Sequence, residues 1–305
     1  MAGAVKSAVR TGAIGLEVTL TGGSGAGYKG EPMDVLAPAI PVLASALFAF
    51  AAVAIVRRRE AVALRWRPDR DTAAAIGTGL LAAAVSAAML LVPPRSLARD
   101  LLHFVGIYGI CGGLLPWWYV TRVERAGVSA MGLTRERWLA ALAVGLVAGG
   151  ALGARLLATA DFSRATPGYL ALASYNLLVG GLFELFLYYG FLHLRLDRAF
   201  GPIPAIVGSA AIYTLWHLGT ELPLHEDPRR ALALLFAVGL LYHAVFQLTR
   251  HLLSIWPFFF LAGVWNDFAT QLDFPPVLAE RPAWPALSLV LLVAVPGWLV
   301  GTRRR

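Results

Sequence analysis

The stretch VLAPAIPVLASALFAFAAVAIVRRR, residues 35–59, decides what kind of molecule this is. It runs 22 residues without a charge and stops at three consecutive arginines, Arg57, Arg58 and Arg59. A helix needs about 20 apolar residues to span the hydrocarbon core of a bilayer, and a cationic triplet is a stop that anionic lipid holds at the surface. Similar runs follow at 72–92, closed by Pro93 and Pro94, and at 101–120, 138–158, 169–194, 202–222, 231–248 and 252–272. A last run at 284–301 precedes Arg303, Arg304 and Arg305. The chain therefore reads as all-α, a polytopic transmembrane helix bundle of about nine spans.

Composition agrees. Of 305 residues 58% are hydrophobic and 14% charged, with mean hydropathy +0.67, which excludes a soluble globule and a disordered chain. A single cysteine, Cys111, excludes a disulfide-stapled secreted module. The net charge of +8 would suggest nucleic acid in a soluble protein, but here the cations sit at the ends of apolar runs. With the N-terminus outside, alternation puts 16 Lys and Arg residues on one side and 9 on the other, with Arg155 inside the fourth span. The positive-inside rule then makes the C-terminus cytoplasmic. The expected setting is a bacterial inner membrane, with lipid as a partner and no nucleic acid. Residues 1–34, interrupted by Glu17 and crowded with glycines at 22, 23, 25, 27 and 30, read as an extracytoplasmic tail rather than a signal peptide. Gly145, Gly149 and Gly153 give the fourth span the small-xxx-small spacing of a helix that packs closely on a neighbour.

An ionisable side chain at mid-membrane costs about 2.5–3.5 kcal/mol on insertion scales, so each marks a candidate site. They cluster in spans five to eight, with His103 and Arg155 at the margins. Glu184 lies in GGLFELFLYYGFLHLRL (180–196), with Gly180 and Gly181 leaving a bare face one turn before it and Tyr188 one turn after. His217 lies in SAAIYTLWHLGTELP (209–223), where Ser209, Tyr213, His217 and Thr220 or Glu221 recur at helical spacing as one polar stripe. An imidazole there suits proton transfer beside a carboxylate. His217 and Glu221, four apart, would alternatively ligate a divalent metal with a third group, although no HExxH or cysteine cluster accompanies them. No cofactor is otherwise implied. Asn266 and Asp267 lie in WPFFFLAGVWNDFATQL (256–272), where an amide would donate to a developing oxyanion or serve as interhelical glue. His243, with Gln247 as its one polar companion a turn away, reads first as a packing residue, and Cys111 as an ordinary small one.

These residues resemble the CPBP intramembrane proteases, the family of the CaaX prenyl endopeptidases and the bacterial Abi or bacteriocin-processing proteins. That family's pattern is EExxxR, FxxxH and HxxxN or HxxxD. Glu184 matches the leading glutamate, with Leu185 and Tyr189 where a second glutamate and an arginine are usual. Tyr213 stands for the phenylalanine before His217, and Ala262 for the histidine before Asn266. MGLTRERW (131–138) is similar to the family's lead-in. The resemblance covers Gly132 to Gln271, and implies a CPBP-like core in spans four to eight. It divides the chain into the tail at 1–34, three accessory spans within 35–131, the core at 132–272 and the last span with its basic end at 273–305.

The resemblance implies that Glu184 activates water for attack on a peptide carbonyl, that His217 orients that water or assists proton transfer, and that Asn266 stabilises the oxyanion. His243, Trp265 or Tyr188 would make up for the histidine absent at 262, with Tyr213 and Glu221 supporting. The expected function is an intramembrane endopeptidase acting on a membrane-associated protein, a C-terminal sorting tail or a leader peptide. The replacements at 185, 189 and 262 remove most of what marks the eukaryotic, prenyl-substrate branch. The alternatives are an inactive scaffold, immunity or peptide-binding relative, favoured by Ala262, and a proton-coupled transporter using Glu184 and Asp267. By alternation alone, Glu184 should lie toward the cytoplasm with His217 and Asn266 outward, so that convergence demands tilted helices.

Overall fold

The computed structural model describes residues 40–57, 64–93, 96–159, 181–220 and 227–260, and among them the chain is helical with no strand. In chain order the helices are α1 (Ile40–Arg57), α2 (Arg70–Leu91) and α3 (Leu97–Val123), then α4 (Trp138–Thr159) and α5 (residues 181–200). They end with α6 (Pro202–Trp216), α7 (Pro228–Thr249) and α8 (Leu252–Phe259). Three of them, α2, α3 and α7, are long and apolar enough to cross a membrane. Leu47, Phe48, Ile55 and Val147 are 69–79% exposed, an apolar exterior that suits lipid and not water. The tail at 1–34 and the run at 284–301 lie outside the described residues.

Contacts between loops sort the chain into two ends. At one end the amides of Arg65 and Arg67 donate to Phe200 O and Ala199 O, and Leu252 N donates to Gly132 O. Arg195 and Arg250 form ion pairs there with Glu124 and Asp197. The loops that collect most of the arginines therefore meet at this basic end. At the other end Arg99 donates from Nη1 to Met89 O at 3.0 Å and from Nη2 to Gly219 O at 2.7 Å. The start of α2 is a capping box, with Asp69 accepting from Thr72 N while Thr72 reaches back to Asp69 N. The Thr72 hydroxyl, then its amide, holds the Asp69 carboxyl below its ordinary range.

Helices α5 and α6 form a hairpin with no loop. Gly201, between Phe200 and Pro202, has φ +94 and ψ 174, a conformation that only glycine adopts at low cost. Its proline neighbour then starts α6 at the position where a missing N–H is harmless. This turn makes the two helices antiparallel partners counted outward from one residue.

The span read as 202–222 is shorter in the structure: α6 stops at Trp216, and His217 is its C-cap. The reason is tertiary. Gly219 N donates to Ser86 Oγ at 3.0 Å, and a Cβ at Gly219 would collide with the Ser86 carbonyl. That seat on α2, together with Arg99, draws the chain out of the helix. Among the described residues the polar stripe therefore ends at His217, with Thr220 in a turn.

Close packing at the fourth span appears at Gly145. A Cβ there would stand 2.6 Å from Ser254 O and 2.9 Å from Leu253 O, so α8 rests on the bare α4 backbone. Gly145→Ala is expected to cost about 1–3 kcal/mol, as overpacking does, read as a lower unfolding midpoint in micelles. Helices α2 and α3 pack directly on the same core, where Gly79 faces Ile212 and Leu192.

Candidate active site

Glu184 is 5% exposed, near the described start of α5. Two glycines let α3 lie against this part of α5: a Cβ at Gly112 would be 3.0 Å from Phe183 O, and one at Gly113 would be 2.7 Å from the Phe183 ring. The bare face expected before Glu184 is filled. The Phe259 ring of α8 covers Gly181, and would sit 2.9 Å from a Cβ there.

Beyond Glu184 the helix widens to π geometry over Phe186–His193. A wider turn brings two successive positions, 188 and 189, round toward residue 184 where an α-helix would present mainly one. Both Tyr188 and Tyr189 are fully buried. Their paths then diverge. Tyr188 packs edge-on against Tyr213 at 5.5 Å between ring centroids, and Tyr213 against His217 at 4.5 Å. Tyr189 instead stacks on His243 of α7 at 4.3 Å.

Counting from Gly201 settles depth. Glu184 stands 17 residues before it and His217 16 after it, so the two lie at similar distances from the turn, on the order of 20–25 Å. Tyr188 and Tyr213, 13 before and 12 after, make the contact that this count requires. The offset expected from alternation, with Glu184 toward the cytoplasm, is thus corrected: the tight turn leaves no loop to separate the two levels.

His217 is 7% exposed, and its Nδ1–H donates to Tyr213 O at 2.8 Å. In a neutral ring this makes Nε2 the acceptor nitrogen. The helix ends at Trp216 with His217 as its C-cap, and Glu221, the other half of the i, i+4 metal alternative, lies outside the described residues. Among the described residues no group of three or more His, Cys, Asp or Glu is placed to hold a metal. Asn266, Trp265, Glu221, Asp267 and Ala262 lie outside the described residues. Cys111 is a buried free thiol in the packed core.

Two features were not singled out from sequence. The first is the link from His243, read from sequence with Gln247 alone, to His193: His243 Nδ1 lies 3.2 Å from Nδ1 of His193, whose Nε2 lies 2.7 Å from Gln247 Oε1. Gln247 Nε2 donates to Asp197 Oδ2 at 3.3 Å, and Arg250 pairs with the same oxygen at 2.7 Å. The signal available was a matched pair of i, i+4 polar spacings, His193/Asp197 and His243/Gln247, on facing helices. The second feature is Arg195, counted from sequence as a loop cation. Because α5 continues to Phe200, Arg195 is 1% exposed and grips Glu124 through Nε and Nη2 at 2.8 and 2.7 Å.

Residues 166–268, about a third of the chain, match a family model described as type II CAAX prenyl endopeptidase Rce1-like. The match includes the positions of Glu184, His217 and Asn266, and it supports membership of the CPBP family. The lead-in at 131–138 falls outside it. No curated protein and no solved structure matches the chain.

Proposed function

We propose an intramembrane endopeptidase, a reading supported by the match of residues 166–268 to a type II CAAX prenyl endopeptidase Rce1-like family model. Its substrate is a peptide bond in a membrane-associated protein or in a C-terminal sorting or leader segment. Glu184 activates the attacking water, His217 orients it and assists proton transfer, and Asn266 donates to the oxyanion. The observation that carries this reading is the shared depth of Glu184 and His217, joined across the hairpin by Tyr188 and Tyr213. A buried carboxyl and an imidazole with a bare Nε2 are the pair that general acid–base hydrolysis needs. A low-dielectric setting strengthens each hydrogen bond to developing charge. The basic end is taken as cytoplasmic, which puts the C-terminus inside.

The test is cleavage of fluorescent membrane-associated peptides by the full chain in proteoliposomes, mapped by mass spectrometry. One internal bond is expected to be cut, at an unchanged rate in excess chelator, because the chemistry assigned here uses carboxyl, imidazole and amide alone. Loss in chelator with rescue by a divalent ion would move the site to a metal held by His217 and Glu221. Retention of a bound peptide without cleavage would favour the scaffold reading.

A further inference from the structure

The chain Arg250–Asp197–Gln247–His193–His243 has a direction that can be read from its chemistry. Asp197 is 3% exposed and paired with Arg250, and a carboxylate only accepts hydrogen bonds. The Gln247 group facing it must therefore be the NH2, which turns Gln247 Oε1 toward His193. An amide oxygen only accepts, so His193 carries its hydrogen on Nε2 and leaves Nδ1 bare. The 3.2 Å contact between the two Nδ1 atoms then needs its single hydrogen on His243. His243 Nε2 is left as a lone pair. It is buried, on a residue of zero exposure, and has no hydrogen-bond partner among the described residues. The hydroxyl of Tyr189, whose ring stacks on His243, is likewise buried without such a partner, and the Tyr213 ring stands 6.3 Å from His243. Tyr189 in turn follows Glu184 by five residues on the same helix.

Gln247 interrupts any proton wire from the basic end, since an amide neither gives up nor takes a proton readily. What an amide in this position does well is hold the orientation of its neighbours, as outer partners of functional imidazoles do. We propose that Asp197, Gln247 and His193 are positioning residues that lock His243 in its Nδ1–H tautomer. The bare Nε2 is then a built-in acceptor beside Tyr189 for one O–H or N–H donor at the Glu184 site, water or a substrate amide. This rests on the protease reading for the identity of the donor, but the lock itself does not. It also assigns His243 a role opposite to that of the histidine absent at 262: in this tautomer His243 accepts and cannot donate to an oxyanion.

The experiment is histidine-selective ¹⁵N NMR of the full chain in lipid nanodiscs, with His243 assigned by the loss of its signals in His243→Gln. The wild-type spectrum is expected to show His243 protonated at Nδ1 and bare at Nε2. In Gln247→Leu, which keeps the volume and removes the link, the hydrogen should redistribute between the two nitrogens. The kcat for peptide cleavage should then fall about 10–100-fold, the scale seen when an outer partner of a functional imidazole is lost, with KM kept. Solvent isotope effects on kcat separate the two donors, since water as the donor makes the effect shrink in His243→Gln. An Nε2–H or mixed tautomer in the wild type overturns the lock without any variant having to fold. A tautomer lost with kcat unchanged overturns the site role. If the wild type cleaves nothing, the protease reading fails while the spectrum still decides the lock.

Discussion

Glu184→Gln is expected to lower the rate of peptide hydrolysis by about 10²–10⁴-fold, the share of the barrier that a positioned general base commonly removes. Glutamine keeps the volume and the hydrogen-bonding reach of the side chain, so the packing of Phe259 over Gly181 and of Phe183 against Gly112 and Gly113 stays as it is. What is lost is the ability to take a proton from water. The loss should therefore appear in kcat, with peptide affinity changed by less than about threefold, as expected for an interaction made only on the way to the transition state. Glu184→Asp draws the carboxyl back by one methylene, and a misplacement of about 1 Å is enough to cost on the order of 10²-fold. A glutamine variant that cleaves at the wild-type rate would remove Glu184 from the chemistry.

The second large effect concerns stability. Arg195 has no exposed side-chain surface and Glu124 only 8%, and the two are joined by a bidentate pair. Nη1 of Arg195 also donates to Gly190 O and Phe191 O, so the guanidinium is bound to the π segment that follows Glu184. Arg198, 59% exposed and 3.7 Å from Glu124, is too solvated to replace it. Arg195→Met should therefore strand a buried carboxylate and cost about 3–5 kcal/mol, while the double variant with Glu124→Leu should recover most of that loss. Reversible unfolding in mixed micelles reads both values. If the single and double variants are equally unstable, the arginine acts through packing alone.

How far these features could be read in advance depends on whether their cause is local. The helices at Ile40–Arg57 and Arg70–Leu91 are legible because hydrophobic length and cationic or proline closures are properties of contiguous sequence, as at Arg57 or Pro93. The close approach at Gly145 was legible for the same reason. The stop of α6 at Trp216 was not, because it is imposed by Ser86 and Arg99, more than a hundred residues earlier in the chain. The widening after Glu184 was hidden by a periodicity argument that assumes 3.6 residues per turn. Glu184 and His217 stand out in sequence because a charge or an imidazole in lipid is conspicuous one residue at a time. His243 was underrated because its partner His193 lies on another helix, and only the fold brings the two i, i+4 pairs face to face. Arg195 was miscounted because a cation at the end of an apolar run ordinarily reaches for water, and here the helix simply continues.

The Gly201 turn also bears on what the proposed cleavage would release. With Glu184 and His217 at similar distances from that turn, and His217 at the very end of α6, the proposed cut falls close to the rim opposite the basic end. A substrate would be shortened there by a stub, released toward that rim, while the longer fragment kept most of its hydrophobic length and stayed in the bilayer. Processing of this geometry would free a terminus without extracting an anchor, so a cleaved protein could remain attached to its membrane through the portion left behind.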